Sequence, residues 1–559
     1  MMYTGARILV ESLISNGVDT VFGYPGGAVL DIYDELYRYR DRIRHILVSH
    51  EQHASHAADG YARSSGRTGV CLATSGPGAT NLVTGIATAF ADSIPIVAIT
   101  GNVSIPLLGK DSFQEVDIAG VTMPVVKHNW IVEDVRDLAD IIREAFTVAK
   151  SGRPGPVLVD IPKDVGSALC EYSQSADKNL IFFGRAQRLL KKTALRTFSE
   201  ADIDNAVNLI EKSKRPMIYA GGGVIQSGSS TEVKKLAELL KAPVALSLMG
   251  MGAIPSDHPL CTGLIGMHGT SFSARVVQKT DLLIAAGSRF SERVTGSIDK
   301  IAHNARILHI DIDPAEINKN IKADVSVTGD LKIVLKKLVK KLPGNYSNEW
   351  NDEINKWKTE KQKIKDKKSF SPRFIIQETA KILGEKAIVV TDVGQHQIWT
   401  AQYYPFKNAR SFLSSGGMGT MGFGMGAAAG AKIANPDRPV ALFTGDGCFR
   451  MNCAEMATLV KYSLPVLIVI FNNRTLGMLR QMQTVFYESN YSQTDLDDRG
   501  PDFIKLADAY GVRGFRVTDC ASFLEAAAGG MDIIASGKPV LIEAIIGKDE
   551  KVFPVPPAG

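Results

Sequence analysis

Residues 440–473 read VALFTGDGCFRMNCAEMATLVKYSLPVLIVIFNN, and their pattern is the clearest indication of the fold class in the sequence. The apolar run at 440–444 is typical of a buried strand and ends at Gly445-Asp446-Gly447. A helix is predicted from Phe449 to about Tyr462, and a second buried strand follows at 464–471. A strand, a helix and a strand in this order form a parallel βαβ unit, whose crossover is almost always right-handed. The chain is therefore expected to be an α/β protein.

The two strands of this unit bring polar residues to one edge of the sheet. Both point their carboxyl ends at the rim where open α/β sheets bind ligands, so Asp446 and Asn473 are expected to be neighbours. A carboxylate and an amide oxygen suit a hard cation such as Mg²⁺ that also keeps phosphate ligands, and the backbone carbonyl of Thr475 is a third candidate ligand. Taken singly, each piece is compatible with a plain turn or loop. The joined pattern favours a site for a metal and a phosphate.

Composition and charge are those of an ordinary globular protein. The 559 residues are 45% hydrophobic and 22% charged, with a formal net charge of +5; the length indicates about three or four domains. So small a charge argues against nucleic acid or a membrane surface as partner. Residues 1–23 resemble an amphipathic helix and not a signal peptide, and no apolar run approaches the roughly 20 residues that cross a bilayer. The cysteines show no metal-ligand spacing and are interpreted as reduced thiols of a cytoplasmic protein: Cys71, Cys170, Cys261, Cys448, Cys453 and Cys520.

Three α/β blocks are visible, at residues 1–180, 195–340 and 370–559. Each alternates apolar strands with helical stretches, a pattern typical of parallel sheets covered by helices on both faces. The predicted fold class is α/β with three doubly wound parallel-sheet domains. Linkers are predicted at 170–195 and at 342–372, where a Lys-rich run is interpreted as a solvated helix between domains. The predicted strands lie at 46–48, 69–73, 96–100 and 157–161, at 216–220, 243–247, 281–286 and 306–311, and at 387–391, 439–444, 465–471 and 539–545.

Glu51 is the leading candidate for acid–base chemistry. It follows the strand at 46–48 and opens a helical stretch, EQHASHAADGYAR, which places it at the carboxyl edge of the first sheet. At this point the chain resembles the thiamine diphosphate (ThDP) enzyme superfamily, whose metal–diphosphate motif has the spacing seen between Asp446 and Asn473. The resemblance implies that Glu51 hydrogen-bonds N1′ of the aminopyrimidine, so that N4′ takes the proton from C2 of the thiazolium. The alternative is an acid that only stabilises the first turn of its helix.

The same resemblance implies a homodimer or a dimer of dimers. In this superfamily the two domains that form one site come from different subunits. Residues 1–180 would be the pyrimidine-binding domain, residues 370–559 the domain that binds diphosphate and Mg²⁺, and residues 195–340 a Rossmann-like, nucleotide-binding domain. The active sites would then lie at the subunit interface.

Further ThDP contacts implied by the resemblance lie in loops at strand ends. Gln395 and His396 would contact the diphosphate, and the carbonyl of Gly419 would accept a hydrogen bond from N4′. Met421 would separate the two rings and bring N4′ close to C2; without the resemblance it is an ordinary core residue, and the glycine-rich stretches are generic loops. The complete set is Tyr24, Pro25, Gly26, Gly27, Ala28, Ser75, Pro77, Asn81, Gln395, His396, Gly419, Met421, Gly445, Asp446, Gly447, Cys448, Asn473, Gly477 and Met478.

Four further segments narrow the resemblance to the catalytic subunits of the acetohydroxyacid (acetolactate) synthase family. They are GKDSFQE at 109–115, VDIPKDV at 159–165, GMHGT at 266–270 and RFSERVTG at 289–296, together with Phe553-Pro554. The family condenses pyruvate with a second 2-ketoacid, with loss of CO₂, in branched-chain amino acid biosynthesis.

This narrower resemblance assigns substrate and flavin contacts. Gln114 and Phe113 would contact the substrate, and Lys163 and Arg289 would line its approach, where a cation steers a carboxylate. The middle block would bind FAD without redox use, or would be an empty structural domain. The candidate FAD contacts are Gly221, Gly222, Gly223, Gly266, Met267, His268, Gly287, Arg289 and Asp311.

The sequence departs from the family pattern at Met482. Relatives that favour 2-ketobutyrate as acceptor usually carry Trp there; a flexible thioether in its place predicts a weaker preference and good use of pyruvate. The loop at 477–490 and the Pro-rich end at 553–557 are candidate lids. The sequence is also compatible with other functions: a 2-ketoacid decarboxylase, a pyruvate oxidase, a fermentative acetolactate synthase, an inactive nucleotide-binding scaffold or a nicotinamide dehydrogenase. A small regulatory subunit is a further candidate partner.

Overall fold

The computed structural model describes residues 1–172, 198–295, 305–344, 346–362, 369–496 and 499–554. Within these residues the chain forms three six-stranded sheets, and every strand pairing inside them is parallel. The predicted fold class is confirmed. Most of the predicted linker at 170–195 lies outside the described residues, as do Gly296 of the 289–296 segment and residues 555–557 of the Pro-rich end.

The first sheet has the strand order β3-β2-β4-β5-β7-β6, and a two-stranded antiparallel ribbon of β1 and β8 lies beside it. Its strands are β1 (Met2–Thr4), β2 (Thr20–Gly23), β3 (Arg44–Leu47), β4 (Gly69–Ala73), β5 (Ile96–Asn102), β6 (Asn129–Ile131), β7 (Val157–Pro162) and β8 (Leu169–Glu171). Its helices are α1 (Gly5–Ser15), α2 (Leu30–Arg38), α3 (Glu51–Ser65), α4 (Pro77–Asn81), α5 (Val83–Ala91), α6 (Ile118–Thr122), α7 (Leu138–Lys150) and α8 (Lys163–Ser167). The helix predicted at Glu51 is confirmed as α3, whereas the helix predicted over residues 1–23 is confined to α1, with β1 before it and β2 after it.

The second sheet has the order β11-β10-β9-β12-β13-β14. Its strands are β9 (Pro216–Ala220), β10 (Val244–Leu246), β11 (Cys261–Leu264), β12 (Leu282–Ala286), β13 (Arg306–Asp311) and β14 (Val325–Thr328). Its helices are α9 (Glu200–Glu211), α10 (Gly222–Gln226), α11 (Ser230–Leu240), α12 (Ser271–Lys279), α13 (Glu292–Thr295) and α14 (Leu331–Lys341), and α15 (Glu349–Gln362) follows in the Lys-rich stretch. The helix predicted there is confirmed, but it is not solvated on every side, because Trp350, Ile354 and Trp357 are buried against the middle sheet.

The third sheet has the order β16-β15-β17-β18-β20-β19. Its strands are β15 (Ile388–Thr391), β16 (Phe412–Leu413), β17 (Val440–Gly445), β18 (Val466–Asn472), β19 (Arg513–Val517) and β20 (Val540–Ile545). Its helices are α16 (Pro372–Leu383), α17 (Gln395–Tyr403), α18 (Gly424–Ala434), α19 (Asp446–Asn452), α20 (Met456–Lys461), α21 (Gly477–Phe486), α22 (Phe503–Ala509) and α23 (Cys520–Ala535).

Several sequence predictions need correction. The loop predicted at 477–490 is mostly helical, since Gly477–Phe486 form α21. The helix predicted at 449–462 begins earlier, at Asp446, and a 3-10 turn at Cys453–Glu455 splits it into α19 and α20. Asp446 is favoured in a first helical turn because of its negative charge. The break falls at Asn452, whose φ of −134° is not helical and whose side-chain amide donates to Asp392. The linker predicted to start at 170 also contains the last residues of β8, which pair with β1.

Helices α3 and α18 join the first and third sheets by direct backbone contact. A Cβ atom on Gly60 would lie 2.2 Å from the carbonyl oxygen of Ala427, and one on Gly430 would lie 1.9 Å from that of Ala57. Only glycine permits so close a crossing. Buried side chains from the two sheets consequently form one continuous apolar cluster.

None of the helices in the described part of the chain combines the length and the apolar character needed to span a bilayer. All six cysteines are unpaired, and Cys71, Cys261 and Cys448 are buried.

Candidate active site

The carboxyl edge of the third sheet brings Asp446 and Asn473 together. Gly445 at the end of β17 is paired in register with Phe471 of β18, so the two polar residues leave adjacent strands at the same level. Asp446 is 2% exposed, and its Oδ2 atom has no hydrogen-bond partner among the residues that the structure describes. Burial raises the pKa of this carboxyl to about 7. A buried oxygen without a partner is costly unless a cation or a donor satisfies it.

The oxygen atoms at this edge of the sheet suit Mg²⁺ as ligands. The Asn473 side-chain oxygen accepts from the backbone N–H of Thr475 (3.2 Å), which folds the predicted third ligand back toward the same place. No cluster of three or more His, Cys, Asp or Glu side chains occurs among the described residues. A set of one carboxylate, one amide oxygen and one carbonyl leaves room for the phosphate oxygens and water that Mg²⁺ prefers.

Next to Asp446 and Asn473 lies a second group of residues suited to a diphosphate. The amide of Asn473 donates to Oε1 of Gln395 (3.4 Å) at the start of α17. A Cβ atom on Gly477, at the start of α21, would lie 2.1 Å from that same oxygen, so a larger residue there would displace the Gln395 amide. Burial lowers the pKa of His396 to about 3, and Nε2 of its neutral ring has no hydrogen-bond partner in the described part of the chain. Two helix N-termini and an unused imidazole nitrogen can bind an anion.

A buried aspartate, Asp392, holds these parts in place. It accepts hydrogen bonds from the N–H of Gly424 (2.8 Å), the hydroxyl of Thr444 (2.7 Å) and the amide of Asn452 (3.2 Å). Burial raises its pKa. The three donors belong to the start of α18, the end of β17 and the end of α19, so one carboxylate ties together the turns on either side of Asp446.

At the edge of the first sheet, Glu51 begins α3 directly after β3. His50 caps the helix by accepting from the N–H of Gln52, and the amide of Asn81 donates to Oε2 of Glu51 (2.9 Å). A Cβ atom on Gly78 would lie 3.3 Å from Oε1 of Glu51. The predicted loop at 75–81 is therefore packed on the acid, and Asn81 fixes the orientation of its carboxylate.

The predicted loop at 24–28 packs on Thr74, the residue just before the stretch at 75–81 that contacts Glu51. The N–H of Ala28 donates to the Thr74 hydroxyl (3.3 Å), and a Cβ atom on Gly26 would lie 2.5 Å from the Thr74 side chain. Ser75 is buried, whereas Tyr24, Pro25 and Pro77 are exposed, and a Cβ atom on Gly27 would meet open space. This open side is available to a ligand or to another chain.

The loop at 414–421 carries two further predicted contacts, Gly419 and Met421. Gly419 has a φ of +69°, and the hydroxyl of the following Thr420 pairs with that of Thr88 in α5 (2.7 Å). A Cβ atom on Gly447 would lie 3.7 Å from the Met421 methyl group, which places Met421 beside the turn that carries Asp446. Cys448 is buried and donates its thiol to the Val393 carbonyl (3.2 Å).

The predicted substrate residues lie at the rim of the first sheet. Gln114 has a φ of +59°, a strained conformation for a residue of this kind. A Cβ atom on Gly76 would lie 2.8 Å from the Gln114 carbonyl oxygen, which packs this loop on the Glu51 group. The neighbouring Phe113 is 87% exposed on this chain. Lys163 is exposed at the start of α8.

In the middle sheet, the predicted flavin residues gather at the carboxyl edge. Gly221 and Gly223, which flank Gly222, pack on Gly287, because a Cβ atom on Gly223 would lie 2.7 Å from Cα of Gly287. The N–H of Met267 donates to the Arg293 carbonyl (2.8 Å), and Gly266 touches the same residue.

Three flavin candidates have polar contacts of their own. Asp311 ends β13, and burial raises its pKa to about 6; a carboxylate there suits a nucleotide ribose. Arg289 donates to the Ala91 carbonyl (3.0 Å) in the first block, and the His268 carbonyl accepts from Gln402 (2.8 Å). These residues fit a nucleotide at the edge of the middle sheet.

The described part of the C-terminal segment lies on the third block as an arm. Gln481 of α21 donates to the Val552 carbonyl and accepts from its N–H, both at 2.9 Å. Gln395 donates to the Glu550 carbonyl (2.7 Å) and to Gln481 (2.9 Å). Val552 is fully buried, while Met478 and Met482 are half-buried. The arm therefore rests on the same glutamine that contacts Asn473.

Sequence reasoning missed Asp392, Asp92 and Gln481. Asp392 follows β15 directly, so the rule that functional residues follow strand ends could have found it. Asp92 ends a helix, and Gln481 lies within one; neither carries a motif.

Comparison with known proteins gives the class and then the family. A protein-family model described as "Thiamine pyrophosphate enzyme, N-terminal TPP binding domain" matches residues 3–121. The family models of the central domain and of the C-terminal TPP binding domain of these enzymes match residues 203–338 and 392–544. The chain is thus a thiamine pyrophosphate (that is, ThDP) enzyme.

Full-length relatives narrow this class. An acetolactate synthase large subunit of Cyanidium caldarium is 45% identical over 99% of this chain and 95% of its own length. A probable acetolactate synthase large subunit of Methanococcus aeolicus is 44% identical over 99% and 94%, and an acetolactate synthase of Mycobacterium leprae is 44% identical over 100% and 89%. The chain belongs to the acetolactate synthase large-subunit family.

Proposed function

We propose that this chain condenses pyruvate with a second 2-ketoacid, with loss of CO₂, to give 2-acetolactate or 2-aceto-2-hydroxybutyrate in branched-chain amino acid biosynthesis. The observation that carries the proposal is the pair of edge clusters: Glu51 oriented by Asn81 on one sheet, and Asp446 beside Asn473 and Gln395 on another. Their chemistry matches the two ends of ThDP, and the relatives' names supply the reaction.

Each residue has a defined part in this proposal. Asp446, Asn473 and the Thr475 carbonyl hold Mg²⁺, while Gln395, His396 and the N–H groups at Gly477 hold the diphosphate. When bound, ThDP supplies a thiazolium carbon that adds to the ketoacid carbonyl and accepts the electrons left by CO₂. Glu51 uses Oε2 to accept from Asn81 and keeps Oε1 for the proton that it shares with the pyrimidine.

The remaining residues orient the pyrimidine and the substrate. The Gly419 carbonyl accepts from the exocyclic amine, and Met421 keeps the two rings of ThDP apart. Gln114 and Phe113 contact the substrate, and Lys163 and Arg289 attract its carboxylate. Helix α21 and the C-terminal arm exclude water while the second ketoacid is awaited.

We also propose the assembly that the site requires. Residues 1–180 act as the pyrimidine domain and residues 370–559 as the diphosphate domain, and the complete site forms between two copies of the chain in a dimer or a dimer of dimers. The solvent exposure of Tyr24 and Phe113 supports this assembly, because large exposed side chains of this kind are typical of a surface that another chain covers. Relatives named large subunits suggest a small regulatory subunit as partner, and six unpaired cysteines suit the cytoplasm.

FAD is the proposed ligand of the middle block at 195–340. The support is the convergence of Gly223, Gly287 and Asp311 at the carboxyl edge of its sheet. A visible spectrum of the purified protein tests it: a flavin absorption released by denaturation is expected, and a colourless protein that does not take up added FAD contradicts it.

Anaerobic incubation with pyruvate, ThDP and Mg²⁺ tests the reaction. Acetolactate is the expected product. Acetaldehyde as the main product would show a decarboxylase instead, and peroxide formed only after air is admitted would show an oxidase.

A further inference from the structure

The loop at 414–420, which carries Gly419, is held from outside by the end of helix α5. Asp92, the residue after that helix, accepts from two consecutive backbone N–H groups of the loop: Gly416 donates to Oδ2 (3.0 Å) and Gly417 to Oδ1 (2.7 Å). Both carboxylate oxygens are thus used on one short stretch of backbone.

A buried arginine completes this anchor. Arg63 of α3 donates to Oδ2 of Asp92 (2.9 Å) and to the Ser414 carbonyl (2.8 Å), and it also pairs with Asp59. The side chains of Arg63, Asp59 and Asp92 are 4%, 0% and 1% exposed. A buried carboxylate needs such a partner, since an unpaired one would be strongly destabilising.

The loop is fixed only in part by its own block, where the N–H of Thr420 donates to the Ser415 hydroxyl (3.0 Å) and the Gln397 amide donates to the Ser415 carbonyl (3.4 Å). Two adjacent glycines, Gly416 and Gly417, allow the backbone many conformations. Within the described residues, its contacts to the first block are the Asp92 and Arg63 bonds, the hydroxyl pair of Thr88 and Thr420 (2.7 Å) and the Thr88–Met418 contact. The position of the Gly419 carbonyl therefore depends on groups that belong to another block of the chain.

We propose that Asp92 is a positioning residue for the reaction: by binding the N–H groups of Gly416 and Gly417, it sets the Gly419 carbonyl at the place where the exocyclic amine of the aminopyrimidine is received. This deepens the proposed function and rests on it. Asp92 touches neither cofactor nor substrate, and acts through the loop. Arg289 also contacts both the end of α5 and the loop at 414–420, since it donates to the Ala91 carbonyl and lies next to Gly417.

The chain offers a matched pair of variants. Asp92→Asn keeps the size of the side chain but replaces one acceptor oxygen by a donor that faces a loop N–H. Asp59→Asn makes the same chemical change in the same buried group, yet Asp59 has bonds to Arg63 and none to the loop among the described contacts. A purely structural role predicts similar effects for the two variants, and a positioning role predicts different ones.

The test measures kcat for acetolactate formation, the ThDP concentration needed for half-activation, thermal unfolding, and the circular dichroism band of the imino tautomer of bound ThDP. For Asp92→Asn we expect kcat to fall by about 10- to 100-fold and the tautomer band to shrink, because a carbonyl displaced by an ångström loses that much. The half-activating ThDP concentration should change by less than about 3-fold, since the diphosphate is held elsewhere. Asp59→Asn should lose clearly less of the band and of kcat than Asp92→Asn, because both loop N–H groups keep their acceptors although Arg63 loses one partner.

A normal band and kcat in Asp92→Asn, or equal losses in both variants, would overturn the proposal. If Asp92→Asn does not fold, Thr88→Val carries the test: it removes the hydroxyl that contacts Thr420 and Met418 of the loop, and should weaken the band and kcat in the same direction. An unchanged band there would equally refute the idea. A wild-type protein that shows the band but forms no acetolactate would refute the proposed reaction and leave the positioning role standing.

Discussion

Asn81 donates its side-chain amide to Oε2 of Glu51 across 2.9 Å, so the acid at the start of α3 is oriented before any ligand arrives. The bond joins α3, which follows β3, to the end of α4, which follows β4; both strands are neighbours of β2 in the sheet. A carboxylate held on one oxygen has the other free to share a proton.

Replacing Glu51 by Gln is expected to lower acetolactate formation by at least about 10²-fold, because the amide cannot exchange a proton with the pyrimidine. Thermal unfolding should stay near that of the wild type. Asn81→Ala is a milder variant for comparison: it removes only the hydrogen bond that orients Glu51, and should lower acetolactate formation by about 10-fold. Near-normal turnover in Glu51→Gln would remove the acid from the mechanism.

Replacing Asp446 by Asn is expected to abolish activation by Mg²⁺. The Oδ2 atom of Asp446 has no partner within the described residues, and an amide there offers one weaker oxygen ligand. The measurement is activity, and the rise in melting temperature with ThDP, across a Mg²⁺ titration. The rise should vanish in Asp446→Asn and persist in Asp549→Asn, which alters an exposed carboxylate of the arm. A full Mg²⁺-dependent rise in Asp446→Asn would place the metal elsewhere.

Stability should fall as the pH drops from about 6.5 to about 4, in part because of His53. Burial lowers the pKa of this imidazole to about 4, with a smaller contribution from His50. The unfolded ring has a pKa of about 6.5, so between these values the unfolded chain binds a proton that the folded chain does not. The stabilisation is complete above the unfolded pKa and lost on acidification.

His53→Gln isolates this contribution. The variant should lose less stability than the wild type across that interval, by up to about 3 kcal/mol. Urea unfolding at both ends of the interval measures the difference. Identical slopes in the two proteins would show that His53 is not buried as a neutral ring.

Gly430→Ala is expected to destabilise the protein by about 1–3 kcal/mol, because its Cβ would meet the Ala57 carbonyl oxygen at 1.9 Å and push α18 away from α3. Gly529→Ala is the control, since a Cβ on this glycine of α23 meets its nearest atom at 3.9 Å. That change should be neutral or stabilising by up to about 1 kcal/mol. Thermal unfolding compares the two, and equal shifts would contradict the close crossing.

Met482→Trp is expected to raise the preference for 2-ketobutyrate over pyruvate as acceptor by about 10-fold, because a rigid indole would replace a flexible wall on α21. Product ratios with both ketoacids present measure the preference. A strong preference already present in the wild type would contradict the role given to Met482, as would an unchanged ratio in the variant.

The central strands and the two edge clusters were predictable from sequence, and the reasons are local. Strands such as 440–445 and 466–472 are buried on both faces and read as apolar runs, and Asp446, Asn473 and Glu51 follow strands directly. Most edge strands were missed, because a segment such as Arg513–Val517 mixes charge with apolar residues. The short strand β2 was also missed although it lies inside the first sheet, whereas the edge strand β3 was predicted. The split between α19 and α20 depends on Asn452 meeting Asp392, and the anchor at Asp92 on a loop more than 300 residues away in the chain; such tertiary contacts leave no local pattern.

The crossing of α3 and α18 also bears on how the protein is made. The first block leaves the ribosome early, but its helix α3 presents Ala54, Ala57 and Ala58 to a partner at 424–434 that is synthesised much later. Until then an apolar face stays open to solvent and to other nascent chains. Biogenesis of this enzyme should accordingly depend on chaperones that shield α3 during translation.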